Sequence, residues 1–161
     1  MTDDTVLQVL RASRLAADLS EDECRVLSGL VSLRDLADGE VLAHQGTADS
    51  RLHVVAGGTL AIVRDVSGDE RITVTTLDVG DLAGELGFVD GLERNSSLVA
   101  QGGARILCLE RDKLESLLTT HPTIVYHVMR AIIRTVHQIQ RRLAMQAVEL
   151  TNYVYKQHGR Y

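Results

Sequence analysis

The stretch GELGFVDGLERNSSLVA, residues 84–100, decides how the rest of the chain is interpreted. Glycines at its start permit a close approach of backbone to a ligand, and amides in the first turn of a helix point their N–H groups at an anion. Glu85 can accept hydrogen bonds from sugar hydroxyls, and Arg94 presents a planar fork of donors that suits a phosphate. The stretch therefore predicts a pocket for a small sugar phosphate, with an ordinary strand-turn-strand corner as the alternative.

Short strands separated by turns lie on both sides of this stretch. Alternating and β-branched apolar residues recur between residues 31 and 110, with turn residues about every eight to twelve positions. This spacing favours an antiparallel sandwich or barrel. We expect a final hairpin around Gly102 and Gly103. The predicted strands cover residues 31–36, 40–44, 52–56, 59–64, 71–77, 97–101 and 105–110.

Two short helices are predicted before the strands. Residues 3–13 carry apolar residues at helical spacing. Ser20 and Glu23 then stand three positions apart ahead of an apolar run, which is the pattern of a capping box at a helix start. The second helix is expected to end around Gly29.

A long helix is predicted after the strands. A short helix over residues 111–120 is followed by Pro122, which favours the first turn of a new helix, and the pattern from residue 123 to about residue 153 is helical throughout. Two sets of residues repeat every seven positions in it, which is typical of a coiled-coil partner. The alternative is a helix that packs only on its own domain, although roughly 40 Å of helix at 1.5 Å per residue exceeds what a small domain covers. The sets are Met129, Val136, Leu143 and Leu150 and, offset by three, Ile132, Ile139 and Gln146.

Composition excludes several classes of protein. The 161 residues are enough for one domain with a sizeable core, and the net charge of −5 disfavours wholesale binding to nucleic acid. Cys24 and Cys108 are far apart and form no Cys-x-x-Cys motif, so we expect buried reduced thiols and a cytoplasmic location. No apolar run reaches the ~18 residues that a membrane span requires, so no membrane association is expected.

The chain resembles the cyclic-nucleotide-binding domains, the family of catabolite activator protein and of kinase regulatory subunits. The family pattern Gly-Glu-Leu/Met-Ala/Gly followed by an arginine is matched by Gly84, Glu85, Leu86, Gly87 and Arg94. Three further motifs stand in family order: ADGEVLAHQG at residues 37–46, HVVAGGTLAIV at 53–63 and DVGDLAGELG at 78–87. The resemblance covers about residues 15–145.

The resemblance implies an α+β fold: an antiparallel β-roll (a double-stranded β-helix or jelly roll) flanked by short N-terminal helices and a long C-terminal helix. The implied divisions are N-terminal helices over residues 1–30, the roll over 31–110 and C-terminal helices over 111–161. The roll would carry a phosphate-binding cassette at 84–97, and the last division would contain a dimerisation helix at 123–153.

The resemblance also implies the ligand and its contacts. The ligand would be a cyclic mononucleotide, cyclic AMP rather than cyclic GMP, and no further cofactor is expected. The amides of Gly84 to Leu86 and the Arg94 guanidinium would hold the cyclic phosphate, and Glu85 would bind the ribose 2′-hydroxyl. The remaining contacts would be with the base: Ile62, Val74 and Leu77 on the strands, and Ile139 and Gln140 on the long helix. A solvated helix face is the alternative for Gln140.

Asn95 and Ser96 depart from the family, which has Ser or Thr and then Ala after the arginine. Two functions therefore stay open. One is a stand-alone dimeric sensor that signals to an unknown protein partner through its C-terminal helix. The other is a degenerate domain that no longer binds nucleotide and serves dimerisation or docking. Only eight residues follow Tyr153, so the DNA-binding domain of the transcription-factor branch is not expected, nor is direct DNA binding.

An enzyme on a similar β-roll is the third hypothesis. Cupins bind a metal through a His-x-His pair with a nearby Glu, whereas His44 and His53 here are nine positions apart. No Ser/His/Asp or Cys/His set can be assigned from residue order. We therefore predict no catalytic residues, no metal site and no enzymatic activity.

Overall fold

The computed structural model describes residues 3–158. The predicted N-terminal helices are present as α1 (Asp3–Ala12) and α2 (Glu21–Ser28), with a single 3-10 turn, Arg14–Ala16, between them. The capping box is confirmed, because the Ser20 side chain accepts a hydrogen bond from the Glu23 amide and the Glu23 carboxylate accepts one from the Ser20 amide. The outermost residues of the predicted divisions, 1–2 and 159–161, lie outside the described residues.

Six antiparallel strands form the β-roll, which confirms the predicted fold class. In the main sheet the strand order is β1-β6-β3-β4, while β2 pairs with β6 and β5 pairs with β3. The bounds are β1 (Val31–Leu36), β2 (Val41–Ala43), β3 (Arg51–Asp65), β4 (Arg71–Leu77), β5 (Leu82–Ala83) and β6 (Ser97–Glu110).

The predicted breaks in β3 and β6 are wrong. The expected hairpin around Gly102 and Gly103 is one continuous strand, and so is the segment through Gly57 and Gly58. The two strands pair with each other along their length. Gly58 pairs with Ala104 and Thr59 with Gln101, so the register shifts past Gly102 and Gly103. Gly58, Gly102 and Gly103 have positive φ angles, so they form bulges that bend a paired ribbon instead of ending it.

The main core lies between the roll and the helices. Leu10, Leu15 and Leu27 of the N-terminal segment pack there against inward-facing residues of β3 and β6. The last helix adds Ile124 and Val128 to the same cluster. Burial of these apolar side chains is what holds the helices against the roll.

The C-terminal part forms α4 (Arg111–Glu115) and α5 (Pro122–His158), so the long helix runs further than the predicted residue 153. Its first half contacts the roll, whereas every residue from 137 to 157 is exposed. No helix within residues 3–158 combines the length and apolar character that crossing a membrane requires.

Candidate functional site

Residues 84–91, the first part of the stretch GELGFVDGLERNSSLVA, form a turn and a short helix on the surface of the roll. β5 ends at Ala83, and Gly84, which has a φ of +82°, is the N-cap of helix α3 (Glu85–Asp90). Gly91 ends the helix with a φ of +67°. Phe88 is fully buried and anchors α3 in the core, so the cassette backbone has a fixed position.

Two glycines in this segment leave room for neighbouring groups. A Cβ atom at Gly84 would lie 2.8 Å from Arg94 Nη2 and 2.8 Å from the Arg51 carbonyl oxygen. At Gly87 it would lie 2.5 Å from the Asp49 carbonyl oxygen. Any larger residue would therefore push apart the cassette, the arginine and the loop before β3.

Arg94 is held beneath the cassette with its side chain only 7% exposed. Its Nη2 atom donates to Asp49 Oδ2 at 3.1 Å and lies 3.4 Å from the Arg51 carbonyl oxygen. Its Nε atom is buried and has no hydrogen-bond partner among the described residues. An unpaired buried N–H costs free energy, so this guanidinium retains capacity for an anion beside Gly84.

Asp49 is the partner of Arg94 that sequence reasoning missed. Its Oδ1 atom accepts from the Arg51 amide, and its Oδ2 atom faces both Arg94 and the ring of the buried His53. The contact with His53 is the main reason that the pKa of Asp49 is lowered, and the charge of Arg94 adds to it against the effect of burial. Asp49 therefore stays ionised and fixes the orientation of Arg94. Because the two residues are 45 positions apart, no local motif indicates the pair.

A cavity of about 270 Å³ opens over this segment. Its apolar wall comes from strand residues, while the cassette provides a carboxylate, a guanidinium and small polar groups. An apolar wall with a few convergent polar groups is the usual composition of a small-molecule site. The predicted residues that line it are Ile62, Leu77, Gly84, Glu85, Leu86, Arg94, Asn95, Ser96 and Ile139.

Two predicted site residues do not line this cavity. Val74 is 55% exposed on β4. The register between β3 and β4 shifts next to it, since Ile62 faces Thr75 while Val63 faces Thr73. The prediction rested on the family resemblance, and this bulge interrupts the alternation of faces along β4 at Val74. Gln140 lines a neighbouring groove of about 280 Å³ between α3 and α5, together with Leu86.

The histidines and cysteines form no metal cluster. Among the described residues, no group of three or more His, Cys, Asp and Glu side chains is arranged to hold a metal ion. The thiols of Cys24 and Cys108 are both buried and unpaired with each other.

The sequence model of the cyclic nucleotide-binding domain matches residues 33–121. The match covers more than half of the chain, so this protein belongs to the cyclic nucleotide-binding domain family. The family is one of ligand-binding regulatory domains and not of enzymes, in agreement with the sequence analysis. The matched segment contains the roll from residue 33 onward, including the cassette, and it ends just before α5.

The chain is also similar in sequence to known cyclic AMP-responsive proteins. The chain is 24% identical over 140 residues to the cyclic AMP receptor protein of Thermus thermophilus, covering 87% of this chain and 65% of that one. It is 29% identical over 113 residues to the cAMP-activated global transcriptional regulator CRP of Salmonella typhimurium, covering 69% and 50%. The chain therefore spans about half to two thirds of the length of these relatives.

Solved structures share the fold. A cyclic nucleotide-binding domain from Methylobacillus flagellatus superposes with a TM-score of 0.79 at 21% identity, covering 91% of this chain and 83% of that one. The N-terminal domain of a transcriptional regulator from Streptomyces coelicolor gives a TM-score of 0.71 at 27% identity, covering 81% and 94%.

Proposed function

We propose that this domain binds a cyclic mononucleotide, cyclic AMP in preference to cyclic GMP, in the cavity above the cassette. The observation that carries the proposal is the Arg94 guanidinium, which is buried and held by Asp49, has its Nη1 and Nη2 atoms next to Gly84, and has an unpaired Nε–H. The similarity to proteins named for cyclic AMP supports the choice of nucleotide.

The lining residues divide into three roles in this proposal. The amides at the start of α3 and Arg94 hold the cyclic phosphate, because both present N–H donors to an anion. Glu85, half-buried at the first position of α3, accepts from the ribose hydroxyl. Ile62 and Leu77 form the apolar surface for the base.

Ile139 gives the cavity a connection to the long helix. It lies on α5, beyond the half that packs on the roll, and it lines the same cavity as Glu85 and Arg94. A ligand in the cavity would contact Ile139 better in some positions of α5 than in others. Binding therefore shifts the population toward the helix position in which this contact is best. We propose that this difference is the signal the domain passes to a protein partner.

We further propose that α5 pairs with its copy in a dimer, in a register different from the predicted one. Ile132 is buried in its own core and Ile139 lines the cavity, so these two members of the predicted set face the roll of their own chain. The other predicted set runs from Met129 to Leu150. The residues four positions after its first three members are exposed. They are Ile133, Gln140 and Ala147. Gln140 then becomes a polar residue within an apolar seam, a position that fixes register in coiled coils.

A domain that no longer binds nucleotide is the second candidate, and Asn95 and Ser96 are the observation that favours it. The Ser96 hydroxyl lies 3.4 Å from Asn95 Oδ1 within the lining of the cavity, so the two polar groups face each other. The double change Asn95→Ser with Ser96→Ala restores the family pattern. A gain of about tenfold in cyclic AMP affinity, equivalent to one neutral hydrogen bond of ~1 kcal/mol with some desolvation, supports a weakened site. An unchanged absence of binding in both proteins supports the docking module.

Thermal melting tests the proposed function. A ligand at about 100 times its dissociation constant stabilises the folded state by roughly 2.7 kcal/mol, which at ~2–4 °C per kcal/mol raises the melting temperature by about 5–10 °C. We expect this rise with cyclic AMP, a smaller one with cyclic GMP and none with linear AMP at the same concentration. No rise with millimolar cyclic AMP or cyclic GMP contradicts the proposal.

A further inference from the structure

A second pair of polar side chains, His53 and Cys108, continues from Asp49. His53 on β3 is only 1% exposed, and Cys108 faces it directly across the sheet on β6. His53 Nδ1 and Cys108 Sγ are 3.2 Å apart, and His53 Nε2 lies 3.5 Å from Asp49 Oδ2. Polar atoms thus continue from the thiol through the imidazole and the carboxylate to Arg94.

The charge states of these groups determine where the protons lie. Asp49 is ionised and can only accept, so the imidazole nitrogen that faces it carries the hydrogen. The opposite nitrogen, Nδ1, is then the acceptor, and the Cys108 thiol donates to it. Burial lowers the pKa of His53 and raises that of Cys108, which keeps both groups neutral, as this arrangement requires.

We propose that His53 and Cys108 are positioning residues, which hold Asp49, and through it the Arg94 guanidinium, in the orientation that receives the ligand phosphate. This inference rests on the proposed function for the ligand, but the orientation of Arg94 exists without it. His53 Nε2 lies 3.5 Å from Asp49 Oδ2, which is an electrostatic contact and not a hydrogen bond, and Nε2 has no hydrogen-bond partner among residues 3–158. The thiol therefore acts by fixing the tautomer and the plane of the ring, so that Nε2–H points at Asp49.

The alternative is that Cys108 only fills space in the core. Cys24 provides the matched control, because it is also a buried free thiol but belongs to the cluster under the N-terminal helices. Cys108→Ala and Cys24→Ala each remove one buried sulfur, and only the first removes the donor to His53. Cys108→Ser keeps a hydrogen-bond donor at the same position. It therefore distinguishes loss of the donated hydrogen bond from loss of side-chain volume.

The first readout needs no ligand. The buried Arg94 Nε–H should give a distinct proton–nitrogen NMR signal that exchanges slowly with water, assigned by its disappearance in Arg94→Lys. In Cys108→Ala we expect this signal to broaden and its exchange to accelerate by about three- to tenfold, the equivalent of one neutral hydrogen bond. Cys108→Ser and Cys24→Ala should keep the wild-type signal, and His53→Phe, which retains a ring without nitrogens, should behave like Cys108→Ala.

The second readout is calorimetric titration with cyclic AMP, for which we expect about three- to tenfold weaker binding in Cys108→Ala and His53→Phe only. Equal Arg94 signals in Cys108→Ala and Cys24→Ala overturn the inference. So does a Cys108→Ser variant that behaves like Cys108→Ala. If the Arg94 signal responds as expected but wild-type protein binds no cyclic AMP, the positioning role stands and the proposed function fails.

Discussion

The two halves of helix α5 have similar sequence patterns and different surroundings. From Ile124 to Thr135 the helix buries a residue at every third or fourth position against its own chain. From residue 137 to residue 157 the same spacing of apolar residues continues, yet every residue is exposed. Leu143 and Leu150 are 58% and 66% exposed. A heptad pattern therefore indicates that one face of a helix packs against another surface, but it does not indicate whether that surface belongs to the same chain or to a partner.

The difference suggests that the two halves serve different parts of the function. The first half fixes where the helix leaves the roll, and Ile139, just beyond it, reaches the cavity. The second half presents an apolar stripe with Gln140 within it, and all of its residues from 137 to 157 are exposed. Exposed stripes of this kind are typical of interaction sites in soluble proteins.

The largest expected effect separates two neighbouring isoleucines. Ile132 is 2% exposed and Ile133 is 66% exposed. Ile132→Ala should lower the free energy of unfolding by about 2–5 kcal/mol, because it leaves a cavity in the core. Ile133→Ala should change folding stability by less than ~0.5 kcal/mol while weakening self-association. Chemical denaturation at one protomer concentration measures the free energy of unfolding of both variants. An equal loss of stability in the two variants would show that Ile132 and Ile133 do not differ in their packing on the core.

A second pair of variants tests the register of the proposed seam. Ala147→Asp places a charge between two copies of the helix in the register we propose, and Gln146→Asp does so in the predicted register. We expect Ala147→Asp to raise the dimer dissociation constant by roughly 10- to 100-fold, or about 1.4–2.8 kcal/mol. Gln146→Asp should have little effect. Sedimentation at tens of micromolar measures both, and a monomeric wild-type protein would contradict dimerisation through α5 altogether.

The smallest expected effect concerns acid. In the first half of α5, Arg134 donates to Asp18, and His127 lies 3.4 Å from the Glu23 carboxylate. The hydrogen bond from Arg134 lowers the pKa of Asp18, and the one from the Ser20 amide lowers that of Glu23. Both carboxylates bind protons less readily when folded, so the stability they contribute is present above their ordinary pKa values of 3.8 and 4.5 and is lost as pH falls below them.

Melting curves between pH 7 and pH 3 measure this loss. Asp18→Asn and Glu23→Gln should each flatten the decline, whereas Glu149→Gln, on the exposed half, should leave it unchanged. If none of the three variants alters the decline in melting temperature, protonation of groups other than Asp18 and Glu23 causes the loss of stability in acid.

Sequence reasoning found the parts of this protein that local patterns determine. The capping box at Ser20, the turn at the cassette glycines and the long helix after His121 follow from short-range signals, and the structure contains each of them. The bends in β3 and β6 were misjudged because turn-forming glycines also occur in bulges of paired strands.

Contacts between distant parts of the chain were not predictable in the same way. Asp49 meets Arg94, and His53 meets Cys108, only because the strands pair. Val74 was placed in the site by the family resemblance, and a bulge in β4 lies at this position. The heptad repeat did not indicate that Ile132 belongs to the core of its own chain, because burial depends on what packs against the helix.

Calorimetric titration of cyclic AMP into wild-type protein, Arg94→Lys and Arg94→Ala tests the central claim most directly. Arg94→Lys keeps a positive charge beside Asp49 and loses the planar fork, while Arg94→Ala loses both. The wild type should bind, and Arg94→Ala should bind roughly 10- to 150-fold more weakly, from a loss of about 1.5–3 kcal/mol, with Arg94→Lys between them. An affinity that is the same in all three proteins, or no binding by the wild type, would contradict the account.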